Sequence, residues 1–276
     1  MSVSSIAPEE QPEISNRTTV DRSADSGLYA DLSRYYDCFC ADVDYAQQCA
    51  FTDRLFRAFG ESRGQDLLDL ACGTGQHLSH MAAKGFAVSG LDNSPAMLEA
   101  AGRRCPSATL ILQDLANFDF TRRFDLITCF LYSMHYSHPS ASLQRTLRLA
   151  FEALRPGGVL VFDLADKAGV AQRDAVSRAE QDGVRFEFRS GWRYRGEGED
   201  LDLLVSINRM ADPARGIEAA QWNDRHTMTA IAITTVEACM KQIGFEVRIL
   251  ERDFSLMQAW TGRSYNVLFA GVRPLA

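Results

Sequence analysis

The sequence predicts an α/β chain built on a mostly parallel, doubly wound sheet, and three observations carry that prediction. Short apolar runs alternate with amphipathic helical patterns between residues 66 and 166, a glycine pair follows the first run, and a carboxylate stands near the end of each of the first three. Ligands of such sheets bind beyond the carboxyl ends of the strands, so glycines and carboxylates at those positions mark a site as well as a fold.

In chain order, residues 1–26 are rich in Ser, Thr, Asp and Glu. They lack the basic start and apolar core of a signal peptide or anchor and are expected to form a disordered tail. The aromatics Tyr29, Tyr35, Tyr36 and Phe39 belong to a helical lead-in, and Phe51, Leu55 and Phe59 recur at helical spacing over residues 45–59. The apolar runs 66–72, 86–91, 108–112, 124–131 and 158–164 are short enough to be strands buried on both faces. Helical patterns at 94–103 and 140–154 separate most of them, the second with Leu143, Leu147, Phe151 and Leu154 on one face.

After Asp166 the pattern changes: 184–189 and 201–210 alternate or run apolar without intervening helices, and 222–233 is another extended piece. Residues 167–228 are therefore expected to form an inserted antiparallel β lid over the substrate. Arg185, Arg189, Arg193 and Arg195 alternate with aromatics along it, as on a strand with one wet face; the same guanidiniums suit a carboxylate or phosphate. A helix returns at 235–243, with Val236, Cys239, Met240 and Ile243 on one face and Gly244 as its stop, and strands at 245–254 and 265–272 close the chain. The expected organisation is a tail (1–26), a lead-in with the cofactor-binding core (27–166), the lid (167–228) and the end of the core (229–276).

Composition narrows the function. With 29 Lys and Arg against 36 Asp and Glu, the net charge is −7, and no basic run exists to neutralise nucleic-acid phosphates. The seven cysteines are scattered and odd in number, which points to thiols in a reducing cytoplasm rather than to a disulfide framework. No apolar run approaches the roughly 20 residues that span a bilayer. No metal is expected either, since His77, His80, His135 and His138 read better as structural histidines near a polar cleft.

The glycine pair excludes two common ligands. In Gly73-Thr74-Gly75-Gln76-His77-Leu78, leucine stands where a dinucleotide fingerprint needs its third glycine, and no G-K-[ST] follows for a phosphate loop. Close backbone approach remains, without a pyrophosphate cradle. Asp92 ends the second run 23 residues after Asp69, a spacing at which a carboxylate accepts from both hydroxyls of a ribose. Asp114, after the third run, stands where it can accept from an adenine amino group. Together these positions describe a nucleoside site.

On these residues the chain resembles the class I S-adenosylmethionine-dependent methyltransferases. "LLDLACGTGQ" is similar to that family's first motif, "SGLDNSPAMLEAA" to its second, "QDLANF" to its adenine-contacting loop, "FDLITC" to its fourth strand and "LRPGGVLVFDL" to its fifth. A looser resemblance, carried by "YADLSRYYD" and "DRHTMTAIAITTVEACMKQIGF", extends to N,N-dimethyltransferases of nucleotide-linked amino sugars and to glycine N-methyltransferase-like proteins. The resemblance implies a Rossmann-like core with a seven-stranded sheet whose last strand is antiparallel, and S-adenosyl-L-methionine as cofactor with S-adenosyl-L-homocysteine as product.

It further implies that Asp69, Ala71, Gly73 and Gly75 line the methionine end of the cofactor. Asp92, with Asn93 and Met97 in the same motif, would take the ribose side, Asp114 and Leu115 the adenine edge, and Phe130 and Leu131 the methionine amino group, with Tyr36 folding over the cofactor. His135 is the candidate base, since an imidazole titrates in a useful range and its loop opens onto the methyl. Tyr132, Tyr136, Arg225 and His226 are candidate contacts to the acceptor. The expected activity is methyl transfer to a small metabolite, with an amine preferred. O- or S-methylation of a small molecule or amino acid, and a non-catalytic cofactor-binding scaffold, are the alternatives. The expected partner is a small-molecule acceptor, with no nucleic acid and no membrane, and the protein is expected to be a monomer or homodimer.

Overall fold

The computed structural model describes residues 27–29, 32–170 and 174–275; the expected tail at 1–26 lies outside the described residues. A seven-stranded sheet forms the core, in the order β10-β11-β5-β4-β1-β2-β3. Its strands are β1 (Asp66–Leu70), β2 (Ala87–Asp92), β3 (Thr109–Leu112), β4 (Phe124–Cys129), β5 (Leu154–Ala165), β10 (Glu246–Glu251) and β11 (Asn266–Val272). β1 to β5 pair in parallel, whereas β11 is antiparallel to both its neighbours, so the last strand alone runs against the rest. The expected core is the one observed.

Helices cover both faces, as the near-continuous apolar strands require. α2 (Tyr45–Phe59) and α3 (Gln76–Ala83) pack on one side, where Phe51, Leu55 and Leu78 are sealed against Leu67, Leu126 and Val161. α5 (Ser140–Ala153) and α6 (Ile233–Ile243) pack on the other, burying Leu143, Leu147, Val236 and Met240 against Leu68, Ile127 and Phe269. Local chemistry sets their ends. Ser94 caps α4 (Pro95–Arg104) by accepting from the Met97 amide at 3.1 Å, with Pro95 in the first turn, and Gly244 closes α6 at φ +119°.

A separate four-stranded antiparallel sheet, ordered β6-β7-β8-β9, comprises β6 (Asp174–Gln181), β7 (Val184–Tyr194), β8 (Asp200–Arg209) and β9 (Ala220–Thr229). Its inner face carries Phe186, Phe188, Leu201, Val205, Ile207 and Met228, buried together with Leu28, Leu32 and Tyr35 of the lead-in. The lead-in includes the single-turn helix α1 (Tyr36–Phe39) and lies between this sheet and the core. β6 has no counterpart in the expected strands: its residues DAVSRAEQ are polar and sit on an edge, so no apolar alternation marks them.

Candidate functional site

The site lies where the core strands end. The chain leaves β1 through Ala71, Gly73 and Gly75, all left-handed at φ 53°, 53° and 79°. It leaves β4 through Leu131 and Tyr132 at φ 57° and 60°, so three of the four non-glycine residues with positive φ among the described residues stand at these two turns. Such backbone is costly for residues with a Cβ and persists where surrounding contacts over-determine it. At Tyr132 the contact is visible: its amide donates to Oδ1 of the fully buried Asp163 at 2.7 Å.

Asp92 joins the first two turns, accepting from the Gly73 amide at Oδ2 and the Ser94 amide at Oδ1, both at 2.9 Å. Burial raises its pKa, against the pull of those amides. Each carboxylate oxygen keeps a second acceptor site, so a diol can still bind. Asp69 is sealed deeper: burial raises its carboxyl to about 7, although Thr128 Oγ1 donates to Oδ1 at 2.7 Å.

Two adjoining cavities open on these turns. The larger, about 820 Å³ with its mouth, is lined by Tyr36, Ala71, Gly73, Asp92, Asn93 and Met97, and farther along by Asp114 and Leu115. The smaller, about 330 Å³, is lined by Asp69, Phe130 and Leu131 and shares Tyr36, Ala71, Gly73 and Ser133 with the first. Every residue expected around the cofactor therefore reaches one cavity or the other, except Gly75. A Cβ there would come within 3.0 Å of the Ala101 Cα and Cβ, so Gly75 serves the packing of the α3 start on α4.

The expected acceptor-side residues divide. Tyr136 and His226 line the larger cavity, together with Tyr29. Tyr132 instead walls a different cavity of about 1090 Å³, with Trp192 and Tyr265. Arg225 points away from the core: side chains alternate along β9, so its guanidinium, more than half exposed, pairs with Asp202 on the outer face at 2.8 Å while His226 faces in.

His135 is not available as a base. It is fully buried, its Nε2 accepts from the Ala165 amide at 3.1 Å, and Nδ1 therefore donates to the Thr229 carbonyl at 2.7 Å. Burial depresses its pKa to about 4, so it is a neutral strut tying the β4 turn to β5 and β9.

Two site residues had weak signals in the sequence. Gln113 precedes Asp114, and its Oε1 is one of two buried side-chain atoms lacking a hydrogen-bond partner among the described residues; the other is His226 Nε2, and both residues line the larger cavity. Nε2 does lie 3.0 Å from Asp224 Oδ2, close by but out of hydrogen-bond alignment. Asp224 stands two residues from His226, a spacing that puts both on one face of β9. Burial would raise its pKa, but His226 and the Leu28 and Arg225 amides outweigh burial and hold it below the usual carboxylate range. Among the described residues no helix is long and apolar enough to cross a membrane.

Residues 67–158 match the family model described as a methyltransferase domain. The dTDP-3-amino-3,4,6-trideoxy-alpha-D-glucopyranose N,N-dimethyltransferase of Streptomyces venezuelae is 30% identical over 251 residues, 88% of this chain and 98% of that protein. The dTDP-4-amino-2,3,4,6-tetradeoxy-D-glucose N,N-dimethyltransferase of Saccharopolyspora spinosa is 41% identical over 148 residues, which span 50% of this chain and 59% of that protein. Among solved structures, Streptomyces venezuelae DesVI superposes with a TM-score of 0.75 at 29% identity, covering 89% of this chain and 99% of its own.

Proposed function

The chain belongs to the S-adenosylmethionine-dependent methyltransferases, and from that membership we propose that it methylates the amino nitrogen of a deoxy sugar carried on a nucleoside diphosphate. The observation that carries this reading is the extent of the Streptomyces venezuelae match. It takes in 98% of that N,N-dimethyltransferase, and so includes the region of the small sheet as well as the core.

The cavity chemistry suits the cofactor, which supplies a methyl group already activated on a sulfonium. Asp92 would hold the ribose hydroxyls with the capacity its two amide bonds leave free. Gln113, with a buried and unpartnered Oε1, and Asp114 would take the adenine edge. Asp69, at the floor of the smaller cavity, would face the methionine end, where a cation is the natural partner of a buried carboxylate. Tyr36, Ala71, Gly73 and Ser133 border both cavities and would hold the part of the cofactor where ribose meets the methionine chain. The acceptor then comes from the side of Tyr29 and Tyr136. Alignment of acceptor and methyl is the protein's main contribution, and positioning of this kind lowers barriers by roughly 7–11 kcal/mol.

The test is transfer of labelled methyl from S-adenosylmethionine to a panel of dTDP-linked 3-amino and 4-amino deoxy sugars, with mass analysis of the product. A gain of one and then two methyl groups on the amine is expected. Label appearing only on a sugar hydroxyl or an added thiol, or on no amino sugar, overturns the reading.

A further inference from the structure

Methylation of an amine near neutral pH begins with an ammonium, whose proton must leave before nitrogen can attack. His135 cannot take that proton, so a base acting on the bound ammonium would have to be another group facing the cavities. Two of the five histidines reach the cavities. His77 is buried with Nε2 2.8 Å from Gln48 Oε1, and burial drives its pKa down to about 3, which leaves it neutral and committed. His226 is the other. The hydroxyls of Tyr29, Tyr36 and Tyr136 are pushed up by burial and stay protonated, and Asp92 is committed to the turns.

A carboxylate and two aromatic rings stand around His226. Asp224 lies behind it at 3.0 Å, and that carboxylate is itself fixed by the Leu28 amide at 2.7 Å. The Tyr29 ring stands 5.0 Å and the Tyr136 ring 5.7 Å from the imidazole, and their hydroxyls bond to each other at 2.7 Å. Tyr29 in turn packs 5.8 Å from Tyr36, one of the residues at the junction of the two cavities. Leu203, paired with His226 across β8, adds no charge, and Asp92 and Asp114 face the same cavity from the strand ends.

We propose that His226, with Asp224 beside it, is the group that takes the proton from the acceptor nitrogen, an inference that rests on the amine methylation proposed above. The proton leaves the ammonium nitrogen for the imidazole and passes on to solvent. The electron pair it leaves behind forms the new N–C bond, and the breaking C–S bond leaves its pair on sulfur. Asp224 stabilises the imidazolium in between, and a second methylation repeats the cycle on the monomethylated ammonium.

The experiment compares wild type with His226→Gln, using dTDP-3-amino-3,4,6-trideoxy-alpha-D-glucopyranose as acceptor from about pH 6.5 to about pH 10, with S-adenosylhomocysteine binding measured by calorimetry. The variant is expected to bind S-adenosylhomocysteine as wild type does while kcat falls by about 10²–10⁴ at neutral pH, the usual worth of a placed base. The deficit should shrink at alkaline pH, where the free amine forms without help. A wild-type kcat, or a deficit equal at every pH, overturns the proposal. If the variant does not bind S-adenosylhomocysteine, Asp224→Asn carries the test: a smaller loss with the same pH dependence supports the pair, and a pH-independent loss overturns it. A wild-type enzyme that methylates no amino sugar overturns the function reading and this inference together, whereas an active wild type with an unaffected variant overturns the inference alone.

Discussion

At Asp69, proposed to face the methionine end of the cofactor, a single carboxylate would link folding to cofactor binding. Its pKa stands near 7 because burial strips it of water, above the value of an exposed aspartate. A carboxyl raised in this way favours the protonated folded state: its contribution to stability is complete below the unfolded value near 3.9 and is lost as pH rises through about 7. An ammonium bound there, as proposed, would reverse the preference by stabilising the ionised form, so binding would expel the proton. The expected outcome is that affinity for S-adenosylhomocysteine weakens by up to about tenfold per pH unit below pH ~7, with proton release visible when calorimetry is repeated in buffers of different ionisation enthalpy. Asp69→Asn should flatten that slope. An unchanged slope in the variant would show that the pH dependence arises elsewhere.

At the scale of elements, the turn from β1 to α3 uses two glycines for different reasons. Both are left-handed, a conformation that costs an L-residue about 1–2 kcal/mol. Beyond that they diverge. A Cβ at Gly73 meets only Tyr36 Cε1 at 3.8 Å and projects toward the cavity, whereas one at Gly75 presses on the Ala101 backbone of α4. Gly75→Ala is therefore expected to lower the melting temperature the more, adding an overpacking cost of about 1–3 kcal/mol, and Gly73→Ala to weaken cofactor binding the more. Thermal melts with and without S-adenosylhomocysteine separate the two, and equal losses in both measurements would remove the distinction.

The same turn shows what the sequence could reveal. That Gly73, Asp92 and Asp114 line one cavity is legible because strand ends, glycines and carboxylates are local features that topology brings together. That Gly75 packs on Ala101 depends on a contact 26 residues away, with no mark in the turn itself. That His135 is committed as a strut is hidden for a similar reason. Its partners Ala165 and Thr229 are backbone groups 30 and 94 residues distant, and backbone groups leave no trace in residue type. β6 is a different case. Its polar residues hide it, but Asp182 and Gly183, both at positive φ between β6 and β7, form a D-G hairpin signal that the sequence carries openly.

For the molecule as a whole, the lead-in is one of the pieces that join the small sheet to the core, beside the His135 strut. On one side the Leu28 amide reaches Asp224 of β9, and Leu32 and Tyr35 complete the apolar face of the small sheet. On the other, Thr74 Oγ1 donates to Asp37 Oδ1 at 2.6 Å, and Arg104 pairs with Asp37 Oδ2 at 2.6 Å while its other nitrogen donates to the Thr74 carbonyl. Asp37 thus clasps α1 to the turn that lines both cavities, with Tyr36 beside it over the junction. The ion pair is partly solvated, so its direct worth to stability is only about 0–1 kcal/mol. Its leverage would lie in position, because a cofactor bound beneath Tyr36, as proposed, would leave only when this segment lifts or shifts. Asp37→Ala is accordingly expected to change the melting temperature little while raising the rate of S-adenosylhomocysteine dissociation several-fold, with hydrogen exchange quickening in α1 ahead of the core strands. Unchanged dissociation would mean that cofactor exchanges by a path the lead-in does not close.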